Sequence, residues 1–148
     1  MADVNKSALV PYSAQTMYDL VNDVHAYPEF LPGCVGTEVH SADESHMKAS
    51  MHIAKAGIKH TFTTLNSLEP NRAIKMQLAD GPFKSLSGGW TFTELDEHAC
   101  KVELNLTFEF KNKLIAMAFG KMFTQLANAM VSAFITRAKQ KALAEGNA

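Results

Sequence analysis

The sequence predicts an α+β domain: a curved antiparallel sheet of about six to seven strands wrapped on a long C-terminal helix, with two short helices after the first strand. Two observations predict it. The last third of the chain, Lys111–Ala144, contains no Asp or Glu and carries apolar residues at the three-and-four spacing of one helical face. Before it lie segments of period-two alternation, separated by turns too short for parallel crossovers. At 148 residues, without repeats, linkers or low-complexity tracts, the chain reads as a single domain over 1–148.

Each element follows in order. Residues 3–10 form a first strand that ends at Pro11. Ser13 is a fitting N-cap for a helix from Ala14 to Asn22, with Met17, Tyr18 and Val21 facing inward. A second helical turn covers 25–31 and is stopped by Pro32-Gly33. Met47, Ala49, Met51 and Ile53 then alternate with His46, Lys48, Ser50 and His52, and Ala56-Gly57 makes a tight turn into Ile58, His60 and Phe62. Further strands carry Ile74, Met76 and Leu78, then Leu86, Gly88, Trp90 and Phe92. Val102, Leu104, Leu106, Phe108 and Phe110 mark the last. Gly88-Gly89, inside a strand pattern, reads as a bulge or a close backbone approach. The helix presents Leu114, Ile115, Phe119, Met122, Leu126, Met130, Phe134 and Ala138 on one stripe, widened by Ala116, Phe123, Ala127, Val131 and Ile135. Its 34 residues would reach roughly 50 Å.

Composition narrows the function classes. Apolar residues make up 47% and charged residues 20%, as in an ordinary globular protein. The start lacks the apolar core of a secretory signal, and the two cysteines are too few for a disulfide framework, so a cytoplasmic protein with reduced thiols is expected. Cys34, after Pro32-Gly33, is expected in a loop, where solvent could reach it, with nothing to activate it. Net charge is −1, but residues 1–110 hold 8 basic against 14 acidic residues, and residues 111–148 hold 6 against one. The late cations are Lys111, Lys113, Lys121, Arg137, Lys139 and Lys141. They either solvate the helix and complement its C-terminal dipole, or contact RNA phosphates or an anionic membrane surface. DNA binding is not expected.

Sorting the strands by parity leaves an inner wall without charge: Met51, Ile53, Phe62, Met76, Leu78, Trp90, Leu104, Leu106 and Phe108. The helix adds Met117, Met122, Leu126 and Met130. Methionines adapt to irregular apolar shapes, and Ala116, Ala118, Gly120, Ala127, Ala129 and Ala133 keep the helix thin, which suits a ligand chamber; simple core packing gives the same pattern. The six histidines show no metal-ligand spacing, His60 alone is on the inner parity, and no nucleophile elbow, phosphate loop or inward carboxylate pair occurs. The wall is one that binds rather than reacts. No enzyme, metal or required cofactor is expected.

Three motifs carry a resemblance. They are Tyr27-Pro28-Glu29-Phe30-Leu31-Pro32-Gly33-Cys34, then Gly81-Pro82-Phe83-Lys84 leading to Gly88-Gly89-Trp90-Thr91-Phe92, and Phe108-Glu109-Phe110-Lys111-Asn112-Lys113-Leu114. Together they resemble the coenzyme Q-binding branch of the START-like, polyketide-cyclase superfamily, over essentially the whole chain. Lys55-Ala56-Gly57-Ile58 and Asp80-Gly81-Pro82-Phe83-Lys84 are similar to its bacterial ribosome-association toxins. The resemblance implies a helix-grip fold with a hydrophobic tunnel between sheet and helix. It implies first the holding of an isoprenoid quinone (ubiquinone) or similar lipid in support of respiration, and as the alternative the binding of the large (50S) ribosomal subunit and blocking of subunit association. It supplies no catalytic residues. Gly33 stands where many quinone-type members carry Trp. Tyr27, Phe30 and Leu31, on a segment stiffened by Pro28 and Pro32, would act as a gate over the chamber or as a staple for the short helices.

Overall fold

The structure, a computed structural model, describes residues 2–55 and 57–144. Ala56 of the expected turn, the inward side chain expected of Ile58, and Glu145 lie outside that description. Strand β1 (Ala2–Val10) leads to helix α1 (Ala14–Asn22). Ser13 caps α1 as expected, its side-chain oxygen accepting the Thr16 N–H at 3.1 Å. A single 3₁₀ turn, Val24–Ala26, passes into the short helix α2 (Tyr27–Phe30), with a proline in its first turn. Six strands follow: β2 (Cys34–Ala42), β3 (His46–Lys55), β4 (Ile58–Glu69), β5 (Ala73–Asp80), β6 (Phe83–Asp96) and β7 (Ala99–Phe110). Helix α3 (Lys113–Ala144) closes the chain. Its N-cap is Asn112, whose Oδ1 accepts the Ile115 N–H at 2.9 Å.

The seven strands form one antiparallel sheet in the order β1-β7-β6-β5-β4-β3-β2. β2 to β7 are thus a meander, and β1 crosses over to pair with β7. β2 is the strand that alternation did not announce. It lies at a sheet edge, is largely exposed, and shifts register at Cys34/Gly36 and at Val39/Ser41, so no buried face imposes an apolar period. Its first residue is Cys34, which is buried rather than set in an open loop, because the 31–34 turn folds it under the sheet edge. At the β2–β3 turn, Asp43 Oδ1 accepts the N–H groups of Ser45 and His46, both at 2.8 Å.

Gly88 and Gly89 remain paired with both neighbouring strands, so they mark a close approach, not a bulge. A Cβ on Gly88 would lie 2.0 Å from the Asn105 carbonyl oxygen, and one on Gly89 2.1 Å from that of Ile74; both residues have positive φ. These two positions let β6 bend around α3. The helix turns Phe119, Phe123, Leu126, Ala127, Met130, Val131, Phe134 and Ala138 into the sheet, so the two expected stripes merge into one buried arc.

Candidate functional site

Between sheet and α3, where the sequence leaves a ligand chamber or plain core packing open, the structure places rings. At one end Phe62, Phe83, Phe108, Phe110, Phe119 and Phe123 form a cluster with ring centroids 4.9 to 6.3 Å apart. His60 joins it edge-on, 4.5 Å from Phe119. At the other end Tyr18, Tyr27, Phe30, Trp90, Phe92 and Phe134 do the same, at 5.2 to 6.4 Å. Leu104, Leu106 and Leu126 are buried with them. Two depressions of about 760 and 780 Å³ open on the sheet. The first runs across β3–β7 past Lys48, Leu65, Lys75, Gln77, Ser87 and Asn105, where Gly88 and Gly89 present no side chains, and its lining also includes Met47, Asn66, Met76 and Trp90.

The wall changes character toward β3–β5. There it is made of Met47, Ala49, Met51, Thr64, Asn66, Met76 and Leu78, with Met51, Met76 and Leu78 only half-buried and Met122 half-buried on the facing flank of α3. Asn66 is the residue that the parity reading missed. It sits on the inner face between Met47 and Met76, is 8% exposed, and its Oδ1 is buried with no hydrogen-bond partner. Extending the even-numbered register of β4 past Phe62 would have placed Thr64 and Asn66 inside.

The helical contribution needs one correction. Met117 is 82% exposed and lines nothing in the interior. It lies two residues before Phe119, hence about 200° away around a helix of 3.6 residues per turn. Leu114, one turn earlier on that side, is 79% exposed. Leu126 and Met130 do face inward.

The 27–34 segment is tied down on every side. The Tyr27 hydroxyl donates to the Val21 carbonyl, its ring packs edge-on against Phe134 at 5.4 Å, and burial pushes its phenol well above the ordinary range. Leu31 is buried, the Ala54 N–H donates to the Gly33 carbonyl, and Gly33 takes a positive φ. Phe30 packs on Phe134 at 5.2 Å and supports the Arg137 guanidinium, 5.1 Å above its ring. Arg137 also pairs with Glu29 at 2.7 Å. These are the contacts of a staple between α2 and α3. Arg137 is therefore engaged within the fold, whereas Lys113, Lys121, Lys139 and Lys141 are exposed and form no ion pair among the described residues.

Groups capable of covalent chemistry are muted. Burial raises the thiol pKa of both Cys34 and Cys100, and Glu94 adds its charge at Cys100. His40, Ser50 and Thr63 form a chain of 2.6 Å hydrogen bonds, and His52 bridges Thr61 and Glu38; both networks clamp β2 to β4 across the outer face. Among the described residues no three His, Cys, Asp or Glu side chains gather as a metal site. By length and hydropathy α3 could cross a membrane, but its apolar arc is packed against the sheet.

A grip of seven strands on one long helix, with residues 10–135 matching the profile of the polyketide cyclase / dehydrase and lipid transport family, decides the lineage. The chain belongs to that START-like family. Within it, the chain is 59% identical over 140 residues to the ribosome association toxin RatA of Vibrio cholerae, covering 95% of this chain and 97% of that protein. It is 29% identical to the mitochondrial coenzyme Q-binding protein COQ10 of Drosophila melanogaster, over 92% of this chain and 58% of that one. The ZhuI aromatase/cyclase of a Streptomyces species superposes with a TM-score of 0.86 over 99% of both chains, at 18% identity, which is a likeness of fold. The family's fold is one that binds hydrophobic ligands.

Proposed function

We propose that this protein acts on ribosomes in the manner of the RatA toxins: it binds the large (50S) subunit, blocks its association with the small subunit, and so inhibits initiation of translation. The observation that carries the reading is near-full-length identity to a protein of that name. The fold supports it in two ways. The sheet–helix interior is occupied by rings, which favours action through the surface, and the far end of α3 presents Lys139 and Lys141 free of ion pairs among the described residues. On this reading the role is non-enzymatic and cytoplasmic, because the partner is the ribosome and blocking subunit association calls for no chemistry. The test is gradient sedimentation of purified protein with separated subunits. Co-migration with 50S and loss of 70S particles are expected, with Lys139→Glu/Lys141→Glu weakening both, and the more so as salt rises. Free 70S formation at saturating protein would overturn the reading.

A second role is supported by the apolar wall and by the likeness to COQ10: a quinone or similar lipid held against the methionine-rich quarter of β3–β5. Solvent extraction of purified protein followed by mass spectrometry tests it, and an empty extract after incubation with short-chain ubiquinone counts against it.

A further inference from the structure

The first turns of α3 leave two large apolar side chains in water. Leu114 and Met117 are three residues apart, on one side of the helix, and are 79% and 82% exposed, with Ala118 exposed beside them. Single exposed hydrophobics are ordinary on a protein surface. This pair differs in its setting. Lys113 and Lys121 bracket it on the helix, and Lys84, Lys111 and Lys113 line one cleft of about 490 Å³ at the same end of the molecule. The acids nearby are Glu109, which lines that cleft and faces Lys84 at 4.0 Å, Asp80, whose Oδ1 accepts the Gly81 N–H, and Asp3, whose Oδ1 accepts from the Thr107 hydroxyl at 2.8 Å. α3 itself contributes no acid over its described length.

We propose that this tip docks on an anionic lipid bilayer, with Leu114 and Met117 entering the interfacial region and the lysines meeting the headgroups. Exposed apolar side chains ringed by cations are the pattern that partitions into a charged membrane surface. The apolar pair favours lipid over RNA, because a phosphate backbone rewards the lysines alone and leaves Leu114 and Met117 in water. A second copy of the chain is disfavoured by like charge. The proposal stands apart from ribosome binding, which was assigned to the opposite end of α3.

The experiment is flotation of the full chain with vesicles of phosphatidylcholine alone or mixed with phosphatidylglycerol. Wild type is expected to float only with the anionic vesicles. Lys111→Glu/Lys113→Glu should weaken binding at least roughly 25-fold, from about fivefold per lysine lost near such a surface. Leu114→Gln/Met117→Gln should weaken it about tenfold while leaving the thermal melt unchanged, because neither side chain is buried. Three outcomes overturn the proposal. One is no flotation with either vesicle. Another is binding lost in the lysine variant but intact in the Leu/Met variant, which marks a general polyanion patch. The third is a Leu/Met variant that loses co-sedimentation with the large ribosomal subunit yet floats normally, which makes the tip a ribosome contact.

Discussion

Asn66 offers a sharp test of how the interior is built. Its side chain is 8% exposed, lies between Met47 and Met76 on the inner face, and leaves Oδ1 without a donor. A buried acceptor stripped of its water costs about 1–3 kcal/mol. Asn66→Leu removes that cost and adds apolar burial, against a shape penalty of less than about 1.5 kcal/mol. The ligand-free variant should therefore be more stable by about 1–3 kcal/mol. With a urea m-value near 2 kcal/mol/M, the midpoint rises by roughly 0.5–1.5 M at unchanged slope; the melting temperature rises by about 2–4 °C per kcal/mol. The assay is paired urea titration of delipidated wild type and variant, followed by mass spectrometry of solvent extracts from the same preparations before delipidation. If Asn66 serves a ligand's polar group, the variant gains stability and loses that ligand. An unchanged or lower midpoint at constant slope would refute the reasoning, because the carbonyl would then be served by a donor in solution.

Other expectations follow from single contacts. Gly89→Ala should cost roughly 3 kcal/mol or more, since its Cβ would meet the Ile74 carbonyl oxygen at 2.1 Å, and chemical denaturation would register the loss. Arg137→Ala should cost about 1–2 kcal/mol through the Glu29 pair and the Phe30 ring, whereas Lys139→Ala should leave stability within about 0.5 kcal/mol. Hydrogen bonds from Ser45 and then His46 hold the Asp43 carboxyl below its ordinary range. Its contribution is present above the unfolded-state carboxylate pKa and is lost as pH falls through the lowered folded value, so the stability gap between wild type and Asp43→Ala should narrow on acidification. Met122→Asp should abolish retention of any extracted lipid while Met117→Asp leaves it unchanged; equal loss in both would contradict the inward and outward placement of the two side chains.

Much of this architecture was legible because its signals are local. Ser13 announced α1 through cap chemistry, Ala14–Asn22 matched to the residue, and the alternation from Val102 to Phe110 fixed which face of β7 is buried. β2 was illegible for a physical reason: an edge strand with little burial on either face has no period to read. Met117 was misplaced because apolar type was read without angular position, and the helical arc centred on Phe123 and Phe134 does not extend to it. Arg137 lies toward one edge of that arc, and its half-burial against Glu29 and Phe30 depends on a partner 108 residues away, which spacing along a helix cannot show. The emptiness or fullness of the chamber was equally out of reach, because it is decided by which rings meet across the sheet and helix.

Those rings also decide where a ligand could be admitted. Each edge-to-face contact is worth about 0.5–1.5 kcal/mol beyond area burial, and Phe83 alone makes such contacts with Phe62, Phe108, Phe119 and Phe123. Prising apart that end would cost a large share of a domain stability of about 5–15 kcal/mol. The end gathered around Phe134 is held further by the Tyr27 hydroxyl and the Arg137–Glu29 pair. Among the described residues the methionine-lined part of β3–β5 has no such anchors. Its methionines change rotamer at low cost, three of its inner side chains already reach solvent, and Asn66 supplies a buried amide oxygen with no partner. On the ligand reading proposed above, Met51, Met76 and Met122 are the side chains that a hydrophobic ligand would displace at least cost. On this physical ground lipid binding and surface docking can coexist in one small domain without competing for the same residues.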